Sequence, residues 1–213
     1  MREIVRMDRQ RDVDVIVDIA QSRGQLDLRI PDLETDFVGV NLNKWVGAPL
    51  GTGFLYIRLS RLQDIGIQLG SREHPGSDIL SRVASGTVDA AAFMIIPAAL
   101  RFHAQVPLAE RSVRLRILRD HWVHQQRDHA AVEVVTPDEA GSYGTVTSLR
   151  LRGRTSFEAN VELVGRLADE HGIFTVARDG PLGGSCIRIT PSYFTTAGQL
   201  DRPVAAVWML AAR

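Results

Sequence analysis

Three short apolar runs, VDVIVD (13–18), FVGVNL (37–42) and GTGFLYIRL (51–59), constrain the first half of this chain more than any other feature. They are too short for core helices and rich in β-branched and aromatic residues. The first ends in an acid, as a buried strand of an α/β sheet often does. In such a sheet the chemistry gathers in the crevice beyond the strand ends. Asp18, closely followed by Ala20 and Gln21, ends the first run and Lys44 stands at the end of the second, so Asp18 and Lys44 can both face that crevice.

Lys44 is the only lysine in 213 residues; the other 24 of the 25 basic side chains are arginine. An arginine-rich coding bias explains that ratio but not where the one lysine falls. Arginine replaces lysine as a surface cation, but not as a nucleophile, because a guanidinium stays protonated. Attack on a carbonyl or aldehyde to form a Schiff base is the main chemistry that demands an amine. Lys44 is therefore read either as such a nucleophile or as a chance surface survivor. Asp18 is its natural companion, since pyridoxal phosphate needs a lysine for its aldehyde and a carboxylate for its ring nitrogen.

The remaining pattern divides the chain into two parts. A short helix is expected within 2–11, connection over 21–36, irregular chain over 60–88 with a turn at HPGS (74–77), and a helix over 90–103 with Pro97 as kink or start. Helical spacing continues through 107–130. After a loop at 136–144 come a strand (145–153), an amphipathic helix (157–172) closed by Gly172, strands at 173–177 and 186–190, and a last helix that Pro203 should disturb. RDGPLGG (178–184) reads as a turn. The expected domains are 1–104 and a smaller α+β unit, 105–213.

Composition excludes several classes. Acidic and basic residues balance at 25 each, which argues against a nucleic-acid footprint or a polybasic membrane patch. A single cysteine, Cys186, forbids an internal disulfide and suggests a reducing compartment, so the expectation is cytoplasmic. It lies in a predicted strand and reads as a core thiol. His121, His124 and His129 read as part of a solvated helix face, with no metal site expected.

VDIAQSRGQLD (17–27) followed by DFVGVNLNKWVGAPLGTGFLYIR (36–58) resembles the cofactor region of class V aminotransferases, in their isopenicillin N epimerase-like branch. SGTVDAAAFMIIPAALRFH (85–103) and IRITPSYFTTAGQLDR (187–202) are similar to later segments of that branch, in the same order. The resemblance implies an α/β chain: the C-terminal part of the fold-type-I pyridoxal-phosphate transferase fold, with 1–104 belonging to the large cofactor-binding domain.

It also implies roles. Lys44 matches the lysine that forms the Schiff base with pyridoxal phosphate. Asp18 matches the carboxylate paired with the pyridine nitrogen, and Gln21 the side chain beside the phenolic oxygen. Asn41 and Asn43 match positions near the phosphate. Thr87 matches a threonine that serves the opposite subunit of a homodimer, and Arg188 the arginine that holds a substrate carboxylate. The implied substrate is an amino acid, with epimerase, aminotransferase or lyase outcomes.

Two positions depart from the family pattern: Asn43 stands where histidine is usual, and Ile19 where a small residue is. Family members are about twice as long, and the part without a counterpart lies on the N-terminal side. The expectation is a truncated or split enzyme with exposed strand edges, which by itself binds the cofactor weakly or not at all; the rival is a non-catalytic remnant of the fold.

Overall fold

A computed structural model describes residues 1–69, 74–83, 86–180 and 183–212. Ser85, at the head of SGTVD, and Pro181 and Leu182 of the RDGPLGG turn lie outside the described residues. The chain forms two compact units, Met1–Leu108 and Ala109–Arg213.

In the first unit, α1 (Arg2–Arg9) precedes a three-stranded sheet of β1 (Ile16–Asp18), β2 (Phe37–Asn41) and β3 (Gly53–Ile57), in that order. β1 and β2 run parallel, with Asp18 opposite Gly39, whereas β3 returns antiparallel, with Gly53 opposite Asn41. The sheet is therefore mixed. Its core gathers Val17 and Ile19 from the β1 end, Val38 and Val40 from β2, and Leu42, Val46 and Ala48 from the turn beyond β2. Val5 of α1 joins this cluster, and Ile96 and Ala99 of α2 (Ala90–His103) pack against it. Asp89 caps α2 by accepting from Ala92 N at 3.1 Å.

Pro97 lies inside α2 and does not begin it; the helix continues around the one backbone hydrogen bond that proline cannot donate. Only a narrow stripe of α2 is buried: Phe93, Met94, Ile95 and Phe102 are exposed, as are Phe54 and Leu55 on β3 and Ile16 on β1.

The second unit is α+β. A four-stranded antiparallel sheet runs β4 (Val132–Val134), β5 (Thr147–Leu151), β7 (Cys186–Ile189), β6 (Val176–Arg178). Helices α3 (Leu108–Arg127), α4 (Phe157–His171) and α5 (Ala197–Ala211) contribute Trp122, Leu163, Leu167, Val204 and Val207 to one core with Leu149 and Ile187. Gly172 ends α4 in the left-handed conformation at φ 64°. Thr196 and Gln199 form a reciprocal capping box on α5, and the helix then carries Pro203 through its interior, buried.

Two features differ from the sequence expectation. AVEVV contributes β4, too short a run for periodicity to declare. And α3, read as a helix with a solvated face at His121, His124 and His129, turns Arg111 and Arg119 inward, each 1% exposed. Arg119 is compensated by Asp138 at 2.7 Å, Asp120 at 2.9 Å, Thr147 at 3.2 Å and the face of Tyr143 at 4.0 Å. Among the described residues no single helix is long and apolar enough to cross a membrane.

Candidate active site

Parallel pairing sends the chain off the same end of the sheet after β1 and after β2. The sheet contact continues one residue past β1, where Ile19 N donates to Gly39 O at 3.0 Å. Beyond it, Asp18 Oδ1 accepts from Ala20 N at 2.7 Å, an Asx-type turn that bends the chain outward while Ile19 and Ala20 stay buried. Asp18 and Gln21 are exposed on the resulting rim.

The Lys44 turn is built from its flanks. Leu42 and Val46, two residues to either side, are each 4% exposed and anchored in the core. Ala48 N closes the turn onto Leu42 O at 3.0 Å, and Leu42 N is held by Thr52 O at 3.0 Å. With both flanks buried, Lys44 faces solvent, and among the described residues it makes no hydrogen bond or ion pair. Asn41 is exposed at the end of β2, and Asn43 is half-buried within the turn.

A side-chain contact ties the two loops together. Trp45 Nε1 donates to Gln21 Oε1 at 3.0 Å. Gly24, at φ +93°, sits where any Cβ would lie 2.8 Å from Trp45 Cβ and 3.2 Å from His103 Nε2. The backbone there must be glycine for the loops to close on each other. Sequence reasoning assigned no role to Trp45 or Gly24. The only signals were a tryptophan beside the lone lysine and a glycine six residues past the acid.

Asp18, Gln21, Asn41, Asn43 and Lys44 thus share one rim of the first unit. Thr87 belongs to the same unit, exposed in the segment leading into α2. Arg188 belongs to the second unit, on β7, between Ser148 of β5 and Val176 of β6. Its Nε is buried and has no acceptor among the described residues. Burial, reinforced by Arg178, pulls this guanidinium below its ordinary value, while the Cys186 thiol acts the other way. A buried N–H without a partner is costly, and a carboxylate ligand is the natural remedy.

Other candidate groups are engaged elsewhere. His121 Nε2 meets Asp201 Oδ1 at 2.7 Å, and His129 stacks on Trp208 with ring centres 5.3 Å apart. Cys186 is buried in β7.

The donor set on the rim fits pyridoxal phosphate: an amine without an internal partner, a carboxylate on the neighbouring parallel strand, and an amide and asparagines beside them. The model of the family described as aminotransferase class-V matches residues 1–200. Isopenicillin N epimerase of Streptomyces clavuligerus is 27% identical over 216 residues, covering 94% of this chain and 53% of that protein. The chain spans about half the length of the curated relatives it matches.

The apo cysteine desulfurase of Thermococcus onnurineus NA1 superposes with a TM-score of 0.78 at 18% identity, covering 99% of this chain and 56% of its own. A mutant of C-DES with glycine covalently linked to its pyridoxal-phosphate cofactor gives 0.73 at 23% identity, covering 93% of this chain and 51% of its own. These likenesses show the fold, the C-terminal part of the fold-type-I transferase architecture. Strand order, rim and family match converge: this chain belongs to the class V aminotransferase family.

Proposed function

We propose that this chain carries the lysine-bearing part of a pyridoxal-phosphate enzyme acting on an amino acid, with Lys44 Nζ as the point of covalent attachment. The observation that carries this reading is the parallel β1–β2 pair, which brings Asp18 and Lys44 to one rim. When bound, the cofactor supplies an electron sink that acidifies bonds at the amino acid's Cα.

The chain's own residues have separate tasks. Lys44 Nζ would carry a proton from or to Cα of the amino acid. Asp18 keeps the pyridine nitrogen protonated by charge pairing. Asn41 and Asn43 address the phosphate, with Thr87 doing so for the opposite subunit of a homodimer. Arg188 grips the substrate carboxylate, a planar two-pronged task suited to a guanidinium. Epimerisation, transamination and lyase outcomes share the first proton removal and diverge afterwards.

The test is borohydride trapping of pyridoxal phosphate followed by peptide mapping. Reduction is irreversible, so even a weak site accumulates label. Lys44 has only the N-terminal amine as a rival in this chain. Pyridoxine phosphate, which has the ring and phosphate but no aldehyde, protects Lys44 if a real site surrounds it. Labelling of Lys44 that pyridoxine phosphate leaves unaffected, with the N-terminus labelled equally, overturns the reading.

A further inference from the structure

Gln21 has a side chain with two opposite ends, an accepting oxygen and a donating nitrogen, and the sequence alone does not say which end is offered outward. The contact with Trp45 decides it. An indole N–H only donates, so the atom 3.0 Å from Trp45 Nε1 is Gln21 Oε1. Gln21 Nε2 then has no acceptor among the described residues and is the end left for a ligand.

Both partners are held from behind. Gln25 Nε2 donates to the Gln21 backbone carbonyl, which steadies the loop after β1. Trp45 is followed by the buried Val46 and backed by Gly24, whose missing Cβ would lie 2.8 Å from Trp45 Cβ and 3.0 Å from its carbonyl carbon. Gly24 thus lets the loop after β1 close directly onto the Trp45 backbone and Cβ, which sets where the indole begins.

We propose that Trp45 is a positioning residue that fixes the polarity of the Gln21 amide, so that the rim presents a permanent N–H donor to a ring oxygen in its anionic form. This rests on the pyridoxal-phosphate reading above, and Trp45 acts only through Gln21. A fixed donor favours a phenolate over a phenol and lowers that oxygen's pKa. With the amide reversed, two acceptors would face each other.

The first measurement needs no cofactor. In ¹⁵N-labelled protein, Gln21→Leu moves one of three indole N–H signals, and Trp45→Phe moves the Gln21 side-chain amide pair. Signals that stay in place in both variants overturn the proposal. The second uses pyridoxine phosphate, with the phenol–phenolate absorbance change of the bound ligand followed against pH.

Trp45→Phe is expected to weaken binding about fivefold, the loss of one ordinary hydrogen bond's worth, and to move the transition to higher pH. Gln21→Leu should do the same, and the double variant should add nothing. Gln21→Glu still accepts from Trp45 but has no donor to offer, so it should keep the indole signal and lose at least as much binding. An unchanged transition in Trp45→Phe beside a changed one in Gln21→Leu overturns the positioning role. If the NMR contact is present but pyridoxine phosphate binds no variant and not the wild type, the cofactor reading has failed, and the recognition role falls with it.

Discussion

Arg150 and Glu133 stand opposite each other across β5 and β4, and their side chains meet in a two-pronged ion pair at 2.8 and 3.0 Å. The arginine is nearly buried, with its side chain 10% exposed, and it also donates to Gly183 O. Glu133→Gln would leave that cation without its charge partner, at an expected cost of about 1–2 kcal/mol in the second unit. Chemical denaturation reads it directly. The double variant Glu133→Val with Arg150→Met should recover most of the loss, because no stranded charge remains. A double variant as unstable as Glu133→Gln would show that the pair's charges were never the issue.

A cluster of carboxylates around Arg61 gives the first unit its response to acid. Arg61 grips Asp14 at 2.8 and 2.9 Å and reaches Asp36 at 3.1 Å, while Arg58 binds the other Asp36 oxygen. Burial pushes the Asp36 carboxyl up, and Arg58, Arg61 and Arg9 together override it, leaving it below the ordinary range. The Asp14 carboxyl is also held low, chiefly by its hydrogen bonds from Arg61. Folded-state values below the unfolded ones, near 3.9, mean that the unfolded chain binds more protons in acid. Stability is then fully present above about pH 4 and lost as pH falls through the folded values. Denaturation curves between pH 5 and 3 should show that slope, and Arg61→Met should flatten it. Equal slopes in both proteins would remove the cluster from the account.

The sequence made some of this legible and hid the rest for definite reasons. β1 and β2 announced themselves as short β-branched runs, although only Val17 of β1 is buried while β2 buries Phe37, Val38 and Val40, and with them came the position of Asp18 and Lys44. The lone lysine was visible because 24 arginines surround it in composition. Trp45 was not, since its partner Gln21 lies 24 residues away and meets it only through the loop geometry that Gly24 permits. The inward turn of Arg111 and Arg119 was not legible either. The groups that engage their guanidiniums, Tyr193 for one and Asp138, Thr147 and Tyr143 for the other, come from distant segments.

Leu167 is fully buried on the inner face of α4, in the cluster that joins Trp122, Leu149 and Ile187. Truncation to alanine removes apolar contacts and leaves a cavity that the surrounding helices and sheet can only partly close. Leu167→Ala should cost about 2–5 kcal/mol, and Leu167→Met under about 1.5 kcal/mol, because volume is retained. The ratio of the two losses in denaturant melts is the informative quantity. Comparable losses would mean that the site senses side-chain shape over volume.

Gly24 offers the sharpest test of how the rim is assembled. Its φ of +93° strains any L side chain, and the new Cβ would press on Trp45 and on His103 Nε2. Gly24→Ala should therefore do two things at once. It should destabilise the first unit by roughly 1–3 kcal/mol, and it should displace Trp45 from Gln21, so that the indole N–H exchanges faster with solvent. Gly47 is the internal control: its φ is +77°, but a Cβ there meets nothing within 4 Å. Gly47→Ala should carry the backbone strain alone and leave the Trp45 N–H protected. If both variants expose the indole equally, backbone strain and not the crowding at Gly24 governs the closure of the two loops.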